Sequence, residues 1–451
     1  MSELMDKELK NSNVRFSWPV PQPEEVHDVE SEVLKPITNE PTTAFYATTA
    51  ILATVFLAGV AAWAWQIING LKVTGLNVPV FWGLYIVNFV FFIGVSHAGT
   101  LISAILRITD AAWRTPFTRV AESITIASLP FAASSVIVDL GRPDRFLNVI
   151  LYPHLTSPIL WDVLCISTYL LMSCLYFYIA LVPDIALCRD RLTGLAAWRS
   201  HFYRLLALDW QGTPQQKRLH HQLMSVLSIL LLALVISVHT NVGFIFGMTT
   251  KPGWHSAAIG PYFVVGAAFQ GLGGLAAIIV LVRRWFHLEW IITEERLAPL
   301  KKFFLAVACF WAYFTLVEFL TTYYGRHTAE MEVFWAKLTG EFWLPTWGML
   351  TFCLFIPLPL LALSRWRITT ALLIAGISVN IGMWLERYTI VVPSGARPYL
   401  SWGIGHYNPS WVEWTITAGW FAGFCLFFLV LTRLFPILTV WEVQEEKEGS
   451  H

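Results

Sequence analysis

Two aspartates, Asp139 and Asp162, stand at the margins of long apolar segments, on either side of the turn GRPDRFLNVILYPHLTS at 141–157. A charge at the bilayer centre costs about 2.5–3.5 kcal/mol or more, so acids kept there have a partner or a task. His239, in SVHTNVGF, falls roughly 13 Å from the outer end of its segment at a helical rise of 1.5 Å per residue. That is nearly the level expected for both aspartates, and an imidazole beside a carboxylate accepts protons near neutral pH. Arg142 offers a rigid fork of donors for a carboxylate or another polarised oxygen. Tyr169 and Asn241 supply further hydrogen-bonding groups, though core packing accounts for them equally well. Asp144 and Arg145 have a simpler reading as charges that snorkel to the interface and pair.

Two other polar sets are buried by sequence. His97 with Glu122, and with Ser123, Thr125 and Ser128 behind it, could open a hydrated path inward from the opposite face. Glu318, near Thr315, Thr321 and Thr322, and the pair Glu386–Arg387 form a second set in the later half of the chain. Proton or ion relay is one use of these groups, and hydrogen bonding between helices is the other. Glu386–Arg387 reads as an ion pair closing a helix end.

The elements that carry these residues are ten apolar stretches, each long enough to cross a bilayer at ~20 residues. They lie near 44–66, 78–106, 118–139, 158–182, 220–248, 261–284, 300–324, 342–363, 367–388 and 411–435. Gly141 and Pro143 end the third abruptly, and Ser157-Pro158 opens the fourth with a capping hydroxyl and an N-terminal proline. The expected fold is an all-α polytopic membrane protein with two four-helix bundles, spans 2–5 and 6–9, plus two flanking helices. Residues 1–43 are polar and acidic and read as a cytoplasmic arm laid on a partner; 436–451 read as a cytoplasmic tail. Most Lys and Arg fall on the side of both termini, which the positive-inside rule places in the cytoplasm. The 141–157 turn is then extracytoplasmic.

Composition excludes other classes. Hydrophobic residues make up 56% and charged residues 13%, unlike a soluble domain, and the formal charge of zero gives nucleic acid no purchase. The six cysteines are scattered with no CxxC or CxxCH, so neither an iron–sulfur cluster, a structural zinc nor covalent haem is expected on this chain. A haem between transmembrane histidines is opposed by depth, since His97 and His239 are expected in opposite halves of the bilayer. An ion or solute transporter remains the alternative from another class, with a haem-binding, cytochrome b-like anchor behind it.

Four segments carry a resemblance: SHAGTLISAILR in span 2, DLGRPDRF after span 3, SPILWDV opening span 4 and NIGMWLERY in span 9. Together they resemble the polysulfide reductase NrfD family of membrane subunits over about residues 44–435. Within it, the chain is most similar to the ten-span subunits ActC and ActF of alternative complex III, with ActC favoured. The resemblance implies a bacterial cytoplasmic-membrane subunit that oxidises quinol, in many members menaquinol, near the extracytoplasmic face, with no redox centre of its own. Electrons would pass to an extracytoplasmic iron–sulfur subunit. Subunits bearing c-type haem, other membrane subunits including a second NrfD-like chain, and lipids would complete the assembly. The family's quinol-site positions fall on Asp139 and Asp162; many relatives in the complex III branch carry His at the first. The implied site is then Asp139, Asp162 and His239, with Arg142 and Tyr169 as further contacts. His97, Glu122, Glu318, Glu386 and Arg387 are the candidate proton path.

Overall fold

The computed structural model describes residues 29–442 apart from 110, 112, 193–196, 364–366 and 400–402; most of the N-terminal arm and the end of the tail lie outside the described residues. Long apolar runs in lipid have no water to satisfy their backbone, so they close their hydrogen bonds internally as helices. No β-strand occurs among the described residues. After a short helix α1 (Val29–Thr38) come ten helices long and apolar enough to span a membrane. They are α2 (Thr43–Asn69), α3 (Leu84–Ile108), α4 (Thr118–Asp139), α5 (Pro158–Arg191) and, after the short α6 (Ala197–Leu206), α7 (Pro214–Gly247) and α8 (Ile259–Trp285). Then come α9 (Glu294–Gly325), a short α10 (Thr328–Leu338), α11 (Trp343–Ala362), α12 (Ile368–Ala396) and α13 (Trp411–Leu434).

Local chemistry sets the helix starts. Thr213 and Ser410 form reciprocal capping boxes with Gln216 and Glu413, while Thr42 and Thr293 accept from the third backbone amide beyond them. The expected cap at Ser157 is absent: its hydroxyl makes no capping bond, and Pro158 alone sets the first turn of α5. Gly141, at φ 64°, lets the chain leave α4 in a conformation that a side chain would strain.

The helices α3, α4, α5 and α7 contact one another in a closed ring, and α8, α9, α11 and α12 form another. The rings meet where α8 and α12 lie against α3, which is buried along almost its whole length. The first and last spans flank the rings as a pair: they pack tightly against each other, α13 lies on α3 and α4, and α2 reaches both through Gln66. Ten crossings put both ends of this domain on one face, here the termini face; the α4–α5 turn lies on the other, the turn face.

Parts of the two terminal segments, read from sequence as an arm laid on a partner and a tail, are packed on the chain itself. In α1, Val33, Leu34 and Ile37 are buried, the latter two in an apolar cluster with Phe177, Leu181 and Tyr203. After α13, residues Ile437–Val440 and Glu442 are also buried.

Candidate functional site

The sequence-derived residues resolve into four polar clusters. The first lies deep in the ring of α3, α4, α5 and α7. There α3 widens into a π-turn at Ala98–Ile102, directly after His97. Such turns free backbone groups, and Thr125 of α4 answers one of them, its hydroxyl accepting from the Gly99 amide at 3.1 Å. The helices meet so closely that a Cβ at Gly99 would stand 2.1 Å from the Ala121 carbonyl oxygen, and one at Gly271 of α8 would stand 2.7 Å from the Ala98 nitrogen.

This geometry aims His97 at His239 of α7, with ring centroids 3.9 Å apart. His97 Nδ1 meets the Ile93 carbonyl at 3.0 Å, while His97 Nε2 and both His239 nitrogens have no partner among the described residues, although both residues are wholly buried. Tyr169 of α5 packs edge-on to His97 at 5.9 Å, and its hydroxyl lies 2.6 Å from Thr100 Oγ1 and 3.0 Å from Ser96 Oγ.

The expectation that His97 and His239 occupy opposite halves of the bilayer is therefore wrong, and with it the depth argument against a haem between them. Depth along a helix from its own end does not fix depth in the bundle, because the ends of antiparallel helices need not lie flush. The contact itself leaves no gap between the rings for a porphyrin plane. Nor is His239 level with Asp162. Tyr169, at the imidazole level, follows Asp162 by seven residues, so the imidazoles lie about 10 Å deeper at 1.5 Å per residue.

The second cluster is at the turn face. Asp139 is the last residue of α4, and its Oδ1 is buried without a protein hydrogen bond. It lies in Coulombic range of Glu413 and Tyr85. Those neighbours are tied down: Tyr85 donates to Gln66 Oε1 (2.5 Å), Gln66 Nε2 donates to the Val138 carbonyl (2.9 Å), and Glu413 accepts from Tyr407 (2.5 Å) and from the Gly75 and Ser410 amides (2.6 and 2.8 Å). Burial, with Glu413 beside it, pushes the Tyr407 phenol well above its ordinary range, so it stays a donor. Asp162, one turn into α5, is 6% exposed and also carries an oxygen without a partner. Among the described residues no hydrogen bond or ion pair joins Asp162 to Asp139 or to His239.

Arg142 stays at the surface, where its guanidinium donates to both Asp144 oxygens at 3.0 and 2.9 Å. Asp144 thus pairs with Arg142 rather than with Arg145 in hydrogen bonding, and that fork holds its carboxyl below the usual range.

The third cluster, toward the termini face, contains Glu122. Arg119 spans Asp184 (2.6 Å) and Glu122 (3.4 Å), and Arg107 binds Glu442 at 2.7 Å. Ser103 lies 3.5 Å from Glu122 and 3.4 Å from the Tyr176 hydroxyl, which in turn lies 3.3 Å from Ser228. His97, expected beside Glu122, belongs instead to the histidine pair.

The fourth cluster is in the second ring. Glu386 and Arg387 do not close a helix end: α12 runs on past them to Ala396, and the pair is buried at 2.6 Å in mid-helix. Glu386 also accepts from Tyr262 (2.5 Å) and Trp311 (2.7 Å). Arg387 stacks over Phe263 and lies in Coulombic range of both His97 and His239, across the seam between the rings. Glu318 lines a separate cavity of about 60 Å³ with Lys337 of α10 and Tyr262. Burial pulls the Lys337 ammonium below its ordinary range.

Sequence reasoning missed Gln66, Tyr85, Glu413, Arg119, Asp184 and Glu442. Gln66 and Glu413 are lone polar residues in apolar runs, the signal that singled out Asp139. Nothing in the sequence foretells the Arg107–Glu442 contact.

Comparison with known proteins follows this architecture. The chain is 24% identical to a selenate reductase subunit of Mesobacillus selenatarsenatis, over 89% of this chain and 96% of that one. It is 27% identical to a Halobacterium salinarum protein named as a dimethyl sulfoxide reductase membrane subunit, over 82% and 86%. It is 25% identical to an Hdr-like menaquinol oxidoreductase integral membrane subunit of Archaeoglobus fulgidus, over 90% and 96%. The family model for polysulphide reductase, NrfD, matches residues 72–398, which takes in both rings of helices and the greater part of all four clusters. This multi-pass membrane chain belongs to the NrfD family.

Proposed function

We propose that the chain is the quinol-oxidising membrane subunit of an oxidoreductase complex, with its reaction site at the turn face of the α3–α4–α5–α7 ring. The observation that carries the reading is a pair of carboxylates, the half-buried Asp139 and the buried Asp162. They stand on adjacent helices at the two ends of one turn, and each has an oxygen that no group among the described residues satisfies. A buried acid without a cation is costly, and a ligand hydroxyl relieves that cost. Relatives named as reductase subunits and as a menaquinol oxidoreductase subunit support the same class.

Oxidation of a quinol releases two protons and two electrons. Asp139 and Asp162 are the groups that would accept hydroxyl protons, with Tyr407 and Tyr85 ordering the Asp139 side. The His97–His239 pair and Tyr169, about two helical turns deeper, are placed to receive a proton through bound water, not to touch the quinol ring. Arg142 is already engaged by Asp144 and takes no part in holding the ligand. A lipid-borne reductant could arrive across α5, whose Ile159, Leu164 and Leu171 face outward.

The electrons need an acceptor on another chain. The turn beside the aspartates exposes Leu147, Ile150, Leu151, Tyr152 and Leu155, a surface suited to an iron–sulfur subunit docked outside the membrane. On the positive-inside reading this face is extracytoplasmic and both chain ends are cytoplasmic. Alternative complex III is the specific assembly we favour, with c-type haem subunits and a second NrfD-like chain beside this one. Glu122, Glu318, Glu386 and Arg387 would then serve proton movement coupled to the reaction.

The test uses the assembled complex in detergent. It should oxidise an added naphthoquinol, and turnover should vanish when this chain is missing. Solute uptake by vesicles holding this chain alone, independent of quinol, would instead support a transporter.

A further inference from the structure

Past the last span the chain does not leave the protein. Residues Ile437, Leu438, Thr439, Val440 and Glu442 run across the termini face of the first ring, each no more than 5% exposed. Glu442 is the anchor. One oxygen receives Arg107 Nη2 at 2.7 Å, and the other accepts from Thr118 and Thr439, each at 3.1 Å. Thr439 Oγ1 also lies 3.2 Å from the Thr115 carbonyl oxygen, so its one proton is shared between that oxygen and Glu442, and the Trp441 amide donates to Asp184 at 3.4 Å. The Arg107 guanidinium lies 5.8 Å from the centre of the Trp441 ring. These partners come from α3, α4 and α5 and the loop before α4, so one short segment clasps three helices.

What it covers is chemically specific. Beneath it lie Glu122, Arg119 and Asp184, and beyond them Ser103 and Tyr176 lead toward the ring interior. Beside it lies a cleft of about 220 Å³, lined among others by Asp184, Lys217, His220 and Trp441. Asp184 lines the cleft, whereas Arg119 and Glu122 do not and are 1% and 3% exposed. An acid–arginine cluster this deep keeps its strength only while water is kept out.

We propose that Ile437–Glu442 is a strap that seals the buried acid cluster of the first ring from water, with Glu442 as its latch on Arg107. The strap is part of this chain, so the seal is built in. It opens when the latch is lost, and the cleft is the side from which water enters. The proposal stands whatever the reaction at the turn face.

The experiment uses Ser103→Cys, which sets a thiol beneath the cluster and out of contact with the strap. The full chain in detergent is exposed to a small water-soluble methanethiosulfonate, and labelling is read peptide by peptide. With the strap intact, the introduced thiol should be protected. Deleting 437–451 should expose it fully. Glu442→Ala removes the Arg107 ion pair and both threonine contacts to the carboxylate and should raise its labelling rate by at least roughly tenfold. Cys353, buried in the second ring and 1% exposed, reports on folding: it must stay unlabelled in every variant. Rapid labelling of the introduced thiol with the strap in place would overturn the proposal. So would continued protection in both variants while Cys353 is protected. Should truncation expose Cys353 as well, the Glu442→Ala rate decides alone.

Discussion

The two ends of the first ring treat their acids in opposite ways. At the termini face, Glu122, Asp184 and Glu442 share Arg107 and Arg119, and hydroxyls or amides fill much of the remaining coordination. At the turn face, Asp139 and Asp162 have no cation among the described residues, and each keeps an oxygen with no protein partner. Both ends bury carboxylates of the same type within one bundle. A saturated carboxylate is already committed to holding helices together. An unsaturated one leaves its desolvation cost to be offset by something that binds.

Four substitutions bear on that contrast, from the largest expected effect to the smallest. Asp162→Asn should lower quinol oxidation by the assembled complex by about 10²–10⁴-fold, the range for loss of a positioned proton acceptor. Complex yield and the midpoint of detergent-driven unfolding should not fall, because no protein group depends on that charge. Full turnover in this variant would remove Asp162 from the site. Arg119→Met should do the reverse. It strands Asp184 and Glu122, which should cost about 3–5 kcal/mol of stability. The unfolding midpoint should fall sharply, while whatever complex assembles keeps its turnover.

Glu122→Gln is a gentler probe of the same end, since Arg119 keeps Asp184 as its counter-ion. Electron transfer should persist, and any proton uptake coupled to turnover should drop; loss of both would give Glu122 a structural role. Arg142→Ala should change neither activity nor the unfolding midpoint, because an exposed pair is screened by water. The paired Asp144 is more acidic folded than unfolded. Its small stabilisation is thus present above the ordinary aspartate pKa and fades as pH falls through the lowered folded value. Any difference between wild type and variant should accordingly be small at neutrality and vanish in acid.

The spans themselves were legible because apolar length is a direct signal. Thr118–Asp139 falls where the sequence places it, and the other nine agree within a few residues at most ends. The boundary misreading with most consequence was at span 9. There the sequence reading ends the span at 388, yet α12 continues through Pro393 to Ala396. That continuation moves Glu386–Arg387 from a helix end into the seam between the rings. Depth failed for His97 and His239 because helix stagger and crossing are tertiary properties, absent from any single segment. The candidate acids were legible from the cost of burying them. Their partners were not: Arg107–Glu442 and Gly75–Glu413 join residues over 300 positions apart, and only packing brings them together. The strap went unread for the same reason, since a short polar-ended tail shows no periodicity to betray its burial.

The most direct measurement of the central claim is the position of the quinone. Photolysis of an azidoquinone bound to the assembled complex, followed by peptide mapping, should label the end of α4, the 140–157 turn and the first turns of α5. An excess of natural quinone should suppress that labelling, and Asp162→Asn should reduce it. Labelling confined to the Glu122 cluster, or to the helices of the second ring, would contradict the account.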